Sequence, residues 1–331
     1  GSDDNTADII KQFFDEKGIQ GEIHHDEWVN FAHNRNCALQ HAQGKTDYVL
    51  IFDADDRFEG TFELPEELTS DRYYFRMANS VTGANVYFRT LMFRNDGSFY
   101  WRGVLHEFVE QRKKTVVEQK IFGDYYVISG RFGARSNNPQ KYFQDAQVLE
   151  KAFYSPEDED LKDRYAFYTA QSYRDADMYE KAIEWYAIRA NLGGWYEEVY
   201  HSLLQISLLK IELNAPLDEI QRLLLATYEY RPQRAESLYH LARQLRYHNK
   251  AKQAYIYATV AANIPLNKDI LFVDHSVYEW KAKEELAMSA NSVGNYQLCH
   301  DLCVELLFNP AVPESNRKLL LDNLMFAKEH L

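Results

Sequence analysis

Tyr48-Val-Leu-Ile-Phe52, followed at once by Asp53-Ala-Asp-Asp56, is an apolar run that ends in carboxylates. A short stretch of β-branched and aromatic residues stopping at a polar cluster reads as a buried strand with an acidic tip. Side chains alternate along a strand, so Asp53 and Asp55 are expected on one side with Asp56 beside them. Carboxylates this close repel one another unless a cation or an array of donors neutralises them. A divalent ion such as Mg²⁺ or Mn²⁺ fits, because hard cations take one or two protein carboxylates and complete their shell with phosphate oxygens. A solvated acidic turn is the alternative reading.

Working outward, Phe31-Ala-His-Asn-Arg35-Asn36-Cys-Ala-Leu39 reads as the start of a helix that feeds the strand through Gly44-Lys-Thr-Asp47. Ile9, Ile10, Phe13 and Phe14 share one helical stripe over 7–17, which Gly18 terminates. Further strands are expected at 21–24, 72–77, 85–94 and 124–129, and with the Tyr48 strand they predict a mixed sheet. About fifty residues after the acidic tip comes Trp101-Arg-Gly-Val-Leu-His106-Glu107. Between Ser129 and Tyr142 the chain is rich in glycine and basic residues, with Arg131, Arg135 and Lys141 ahead of or beside Pro139. That segment is either a basic loop able to fold over an anion or a plain interdomain linker.

From Tyr142 the pattern turns helical. Phe167-Tyr-Thr-Ala170 with Tyr179-Glu-Lys-Ala182 recurs as Tyr239-His-Leu-Ala242 with Ala251-Lys-Gln-Ala254, a spacing of about two units of roughly thirty-six residues, near the tetratricopeptide period. The alanines permit close helix approach. The middle unit, 203–230, matches poorly and turns at Asn214-Ala-Pro216. A fourth pair at 277–290 and 296–307 and a closing helix at 315–330 complete the stack. The expected partition is therefore an α/β domain over 1–145 and an all-α tetratricopeptide-like repeat domain over 146–331.

The run from Asn30 through Arg35 and Ala38 to Asp53-Ala-Asp-Asp56 resembles the inverting family-2 glycosyltransferases of GT-A type. Trp101-x-Gly-x-x-His-Glu107, Arg231–Arg243 and Phe272–Trp280 are similar to the branch of that family with a tetratricopeptide-like tail. The resemblance implies metal-assisted, inverting transfer of a sugar from a nucleotide-diphosphate donor to an unknown acceptor, a protein or a glycan held by the repeats. Gly1-Ser-x-Asp-Asn-Thr6 resembles a stretch that lies just after a strand of the nucleotide-binding half, which implies a late start and an incomplete donor pocket.

By similarity, Asp55 is the direct metal ligand and Asp53 the ribose or metal-water contact; Arg35 reaches the diphosphate or nucleoside, or only balances the acidic charge beside it, and Arg131 and Arg135 of the basic loop face the donor. Glu107 is the candidate general base, taking the acceptor's proton as it attacks the anomeric carbon. It is equally placed to pair structurally with Arg102 or Arg94. His106 binds the metal or orients the acceptor, unless it is a hydrogen-bonded histidine at a strand end. Many relatives carry a histidine ligand near the position of Ser129, where serine is a poor substitute. A scaffold whose repeats bind a partner, with a silent α/β part, is the different-class alternative.

A formal charge of −13 argues against a nucleic-acid backbone as main partner. No apolar run approaches a membrane span, and no leader opens the chain. Cys37, Cys299 and Cys303 are too few and odd for a disulfide framework, so a reducing, cytoplasmic setting is expected, with Cys299 and Cys303 packed in a core.

Overall fold

A computed structural model describes residues 5–78, 86–130, 135 and 138–331. They form two units, Gly1–Leu161 and Lys162–Leu331, so the dividing point falls later than the 145/146 position expected from the sequence.

In the first unit α1 (Thr6–Lys17) and α2 (Phe31–Ala42) precede a mixed sheet of β1 (Tyr48–Leu50), β2 (Arg57–Gly60), β3 (Arg72–Ala78), β4 (Tyr87–Arg94) and β8 (Tyr125–Ile128), with β7 (Glu118–Lys120) also on β3. The strand order is β1-β4-β3-β8-β2. β4 runs antiparallel to both neighbours, and β3 pairs in parallel with β7 and β8. A separate hairpin joins β5 (Phe99–Arg102) to β6 (Phe108–Gln111). α3 (Lys141–Phe153) and a short 3₁₀ segment (Pro156–Leu161) close the unit.

Burial follows the strand period. Tyr73, Phe75 and Met77 on β3 are fully enclosed and pack with Tyr125 and Val127 of β8. α2 lays Leu39 and Ala42 against Val49, Phe93 and Phe99. Its N-terminus is fixed by Asn30, whose side chain accepts from the His33 N–H at 2.8 Å.

The strand expected at 21–24 does not form. Its residues are exposed and held by side chains rather than a backbone ladder: His24 stacks on His41 at 3.8 Å, and Glu22 accepts from Lys45 at 2.5 Å. The chain there is an extended arm along α2.

The second unit is entirely helical: α4 (Lys162–Asp175), α5 (Tyr179–Leu192), α6 (Tyr196–Glu212), α7 (Leu217–Tyr230), α8 (Glu236–Tyr247), α9 (Ala251–Asn263), a π turn at Val277–Lys281 running into α10 (Ala282–Ser292), α11 (Tyr296–Leu307) and α12 (Glu314–Glu329). Successive helices pack on one another as hairpins, and Ala170, Ala182, Ala242 and Ala254 are completely buried at the contacts. Cys299 and Cys303 are free thiols buried with Trp280, Met288 and Leu320, as core packing requires. Among the described residues no helix is long and apolar enough to cross a membrane.

Candidate active site

β1 hands the chain to a tight turn instead of carrying its alternation through the aspartates. The Asp56 N–H donates to the Asp53 carbonyl at 2.9 Å, which closes that turn just past β1. This corrects the expectation that the strand runs on through the aspartates, and the repulsion between Asp53 and Asp56 is offset by a shared cation, with Arg89 Nη2 4.0 Å from Asp53 and 3.1 Å from Asp56.

Asp53 accepts from Arg35 Nη2 at 2.8 Å. Asp56 is buried, accepting from Arg89 Nη2 at 3.1 Å and from Ser129 Oγ at 2.8 Å. Asp55 is half-buried, and its carboxylate makes no hydrogen bond or ion pair among the described residues. Its carbonyl instead accepts from the Gly130 N–H at 3.0 Å. The approach is close enough that a Cβ on Gly130 would lie 2.6 Å from the Asp55 Cβ, so the segment just past β8 seats the turn only with glycine there. Ser129 thus serves as a donor that fixes Asp56.

Glu107 belongs to the β5–β6 hairpin, yet its partner is on α2: Arg35 Nε donates to Glu107 Oε1 at 2.7 Å. Neither arginine named as a structural alternative takes part, since Arg94 pairs with Asp71 and Arg102 with Glu110, Asp158 and Asp160. One guanidinium therefore bridges Asp53 and Glu107, with the Trp101 ring 4.8 Å from its centre. That stacking adds about 0.5–2 kcal/mol of hold on Arg35. Burial works against the Arg35 charge, but the two carboxylates outweigh it and raise its pKa further above the usual range.

Asn36 explains why helix and hairpin meet. Its amide donates to the Trp101 carbonyl at 2.9 Å and its oxygen accepts from the Trp101 N–H at 2.8 Å, completing both backbone bonds of that residue. Gly103, at φ 92°, turns the hairpin in the left-handed region that glycine alone adopts readily. Together these features bring Arg35, Asp53, Arg89, Trp101 and Glu107 around one cleft of about 300 Å³.

His106 is exposed at φ 54° beside Glu107 in the hairpin turn. Arg135 pairs with Asp145 and stacks over Phe31 at 4.8 Å, the first residue of the helix that carries Arg35. Arg131 lies outside the described residues. Arg89 is a site residue that sequence reading missed; its only local signal is a cation inside the strand-like run Tyr87-Phe-Arg-Thr-Leu91.

Among the described residues, no group of three or more His, Cys, Asp or Glu is arranged to hold a metal by itself. With Asp53 and Asp56 committed to arginines, Asp55 is the carboxylate of this turn whose oxygens have the hard-donor chemistry that a divalent cation takes.

Residues 1–68 match the family model described as Glycosyl transferase family 2, a span that holds Arg35, Asp53, Asp55 and Asp56. The match supports glycosyl transfer in general terms. No curated protein matches the chain. Among solved structures, BtubC (BKLC) from P. vanneervenii is 15% identical with a TM-score of 0.39, covering 57% of this chain and 72% of that one. Nearly identical TPR-like repeats of a chain described as a kinesin light chain from Podosopora anserina give 14% identity and a TM-score of 0.35, covering 58% and 88%. Likeness at those scores carries no weight for the fold, which rests on the helices themselves.

Proposed function

We propose that this glycosyltransferase family 2 segment moves a sugar from a nucleotide diphosphate to an acceptor nucleophile, with inversion, in the cleft framed by Arg35, Asp53 and Glu107. The observation that carries the reading is the double bridge of Arg35, which joins an acidic turn of the matched segment to a carboxylate 72 residues further along. Such a bridge holds Glu107 on the cleft wall and leaves it partly accessible, at 13% exposed.

In this reading Asp55, with exposed His106 as the second candidate, would hold a Mn²⁺ or Mg²⁺ ion. The ion supplies charge stabilisation for the departing diphosphate. Asp53 faces the donor ribose, and Arg35 and Arg89 offer positive charge to the diphosphate as its own charge develops. Arg135, on the segment after β8, is assigned to the donor, and Arg131 is assigned to it from the sequence as well. Glu107 accepts the proton of the acceptor hydroxyl or other nucleophile during attack on the anomeric carbon, a role that contributes about 10²–10⁴-fold. No covalent sugar–enzyme intermediate is required. The donor base and sugar are left open, and the nature of the acceptor likewise.

Thermal melts of the chain with Mn²⁺ and a panel of nucleotide diphosphates test the reading. An upward shift with at least one nucleotide, dependent on Mn²⁺ and lost in Asp55→Ala, is expected. No shift with any of them, or an equal shift in Asp55→Ala, favours the silent-scaffold alternative.

A further inference from the structure

On the face of the sheet turned away from its core lies a groove of about 960 Å³, lined by Tyr74, Phe88, Glu118, Gln119, Lys120 and Phe122. Strand alternation builds it. Tyr73, Phe75 and Met77 of β3 are enclosed, so Tyr74 and Arg76 point to the other side. Register adds their neighbours: Phe88 of β4 stands opposite Arg76, and Lys120 of β7 stands opposite Tyr74. Phe122, just past β7, meets the Phe88 ring edge-on at 5.4 Å and remains 72% exposed.

Cations lie over the aromatic rings of this face. Lys120 Nζ sits 4.8 Å from the centre of the Phe88 ring, and the Arg76 guanidinium 4.7 Å from that of Tyr126 on β8. Arg76 also donates to the Gly123 carbonyl and, at 3.5 Å, to the Tyr126 hydroxyl. Neither Arg76 nor Lys120 has a carboxylate partner among the described residues. The one acid lining the groove, Glu118, is engaged by Arg72 and by the Tyr74 hydroxyl at 3.2 Å. In a chain of net charge −13, two uncommitted cations on one exposed aromatic face are a local excess of positive charge.

That combination selects the occupant. A purely apolar ligand leaves the cations unused, and a simple anion leaves the Phe122 ring unused. A sugar ring with an anionic substituent uses both, its C–H side on the negative face of the aromatic ring and its carboxylate or sulfate in a charge-assisted bond from Lys120. Single-stranded nucleic acid draws on the same two ingredients, but it needs a run of cations along its backbone, and here Lys120 stands beside Glu118. The volume is at the upper end of the ~300–1,000 Å³ usual for ligand sites, which suits a short oligomer better than one unit. The groove also adjoins the cleft: Phe88 lines both, and the next residue, Arg89, bonds Asp56.

We propose that this groove binds an acidic oligosaccharide, with Phe122 stacking on a sugar ring and Lys120 and Arg76 facing its anionic groups. The choice of a carbohydrate rests on the sugar-transfer reading of the adjoining cleft, but binding here requires neither donor nor metal. Saturation-transfer NMR and calorimetry on the full chain use trigalacturonate and sulfated maltotriose, with the methyl ester of the first and plain maltotriose as neutral counterparts. At least one acidic sugar is expected to bind, and its neutral counterpart about tenfold more weakly. Lys120→Gln should weaken binding about tenfold and Phe122→Ala about fivefold, with circular dichroism unchanged because both side chains are exposed. Asp55→Ala should bind as the unaltered chain does. Binding that persists when no nucleotide shifts the melt therefore sinks the donor reading alone. Should Phe122→Ala not fold, Lys120→Gln decides. The proposal is overturned if neither acidic sugar binds, if the neutral counterparts bind equally, if Lys120→Gln changes nothing, or if oligothymidylate or hexaglutamate binds more tightly than both sugars.

Discussion

Arg35 and Arg234 are each bonded to two carboxylates, but one cluster is open and the other sealed. The side chains of Arg35, Asp53 and Glu107 are 25%, 36% and 13% exposed, whereas those of Arg234, Glu236 and Asp269 are 1%, 2% and 3%. Identical residue types therefore have different uses. A sealed pair can exchange with nothing, and its role is to tie α8 to the loop before the π turn. An open pair on a cleft wall can trade a protein carboxylate for a substrate phosphate at little net cost.

The largest effect that would sharpen this contrast is in turnover. Glu107→Gln keeps the shape and can still accept from Arg35, yet it removes the proposed base, so kcat should fall about 10²–10⁴-fold with donor binding retained. Retained turnover would reduce Glu107 to a structural partner of Arg35.

Stability should report the opposite asymmetry. Glu236→Ala removes the carboxylate that takes the Nε and Nη2 bonds of the buried Arg234, leaving Asp269 at 3.3 Å, and should cost about 3 kcal/mol in urea unfolding. Asp53→Ala, in the partly exposed pair, should cost less than about 1 kcal/mol. Equal losses would erase the distinction between the clusters.

A smaller effect concerns pH. An unfolded histidine titrates near 6.5, but His201 is held to about 3 by burial first. Between those values the unfolded chain binds a proton that the folded chain does not, so stability is full above about pH 6.5 and falls on acidification. From pH 7 to 5 the loss is about 2 kcal/mol from this group, at ~1.4 kcal/mol per pH unit once titration is under way. His201→Phe should remove that part of the slope. His240, lowered to about 4 by burial and then Arg243, adds to the same trend and survives the substitution.

How much of this was legible in the sequence depended on range. The Tyr48 strand, the α2 start at Phe31 and the alanine-spaced hairpins are local patterns, and each appears in the structure. Short exposed strands such as Arg57–Gly60 and Glu118–Lys120 carry charged side chains and no apolar alternation, so nothing local announces them. The expected strand at 21–24 failed for the converse reason: its alternation had no neighbouring strand to pair with. At the site, the acidic turn and Glu107 could be read from motif chemistry, but the Arg35 bridge and the Arg89–Asp56 pair are tertiary facts across 72 and 33 residues. The turn over Asp53–Asp56 was hidden too, because its hydrogen bond replaces the strand alternation that the apolar run suggests.

The most direct test of the open acidic turn as a shared-ligand site is electron paramagnetic resonance of Mn²⁺ titrated with the chain, alone and with a nucleotide diphosphate. With one uncommitted carboxylate the account predicts weak uptake of Mn²⁺ alone, strong uptake when the diphosphate is present, and loss of that gain in Asp55→Ala. Uptake that is indifferent to the diphosphate, or unchanged in Asp55→Ala, would contradict it.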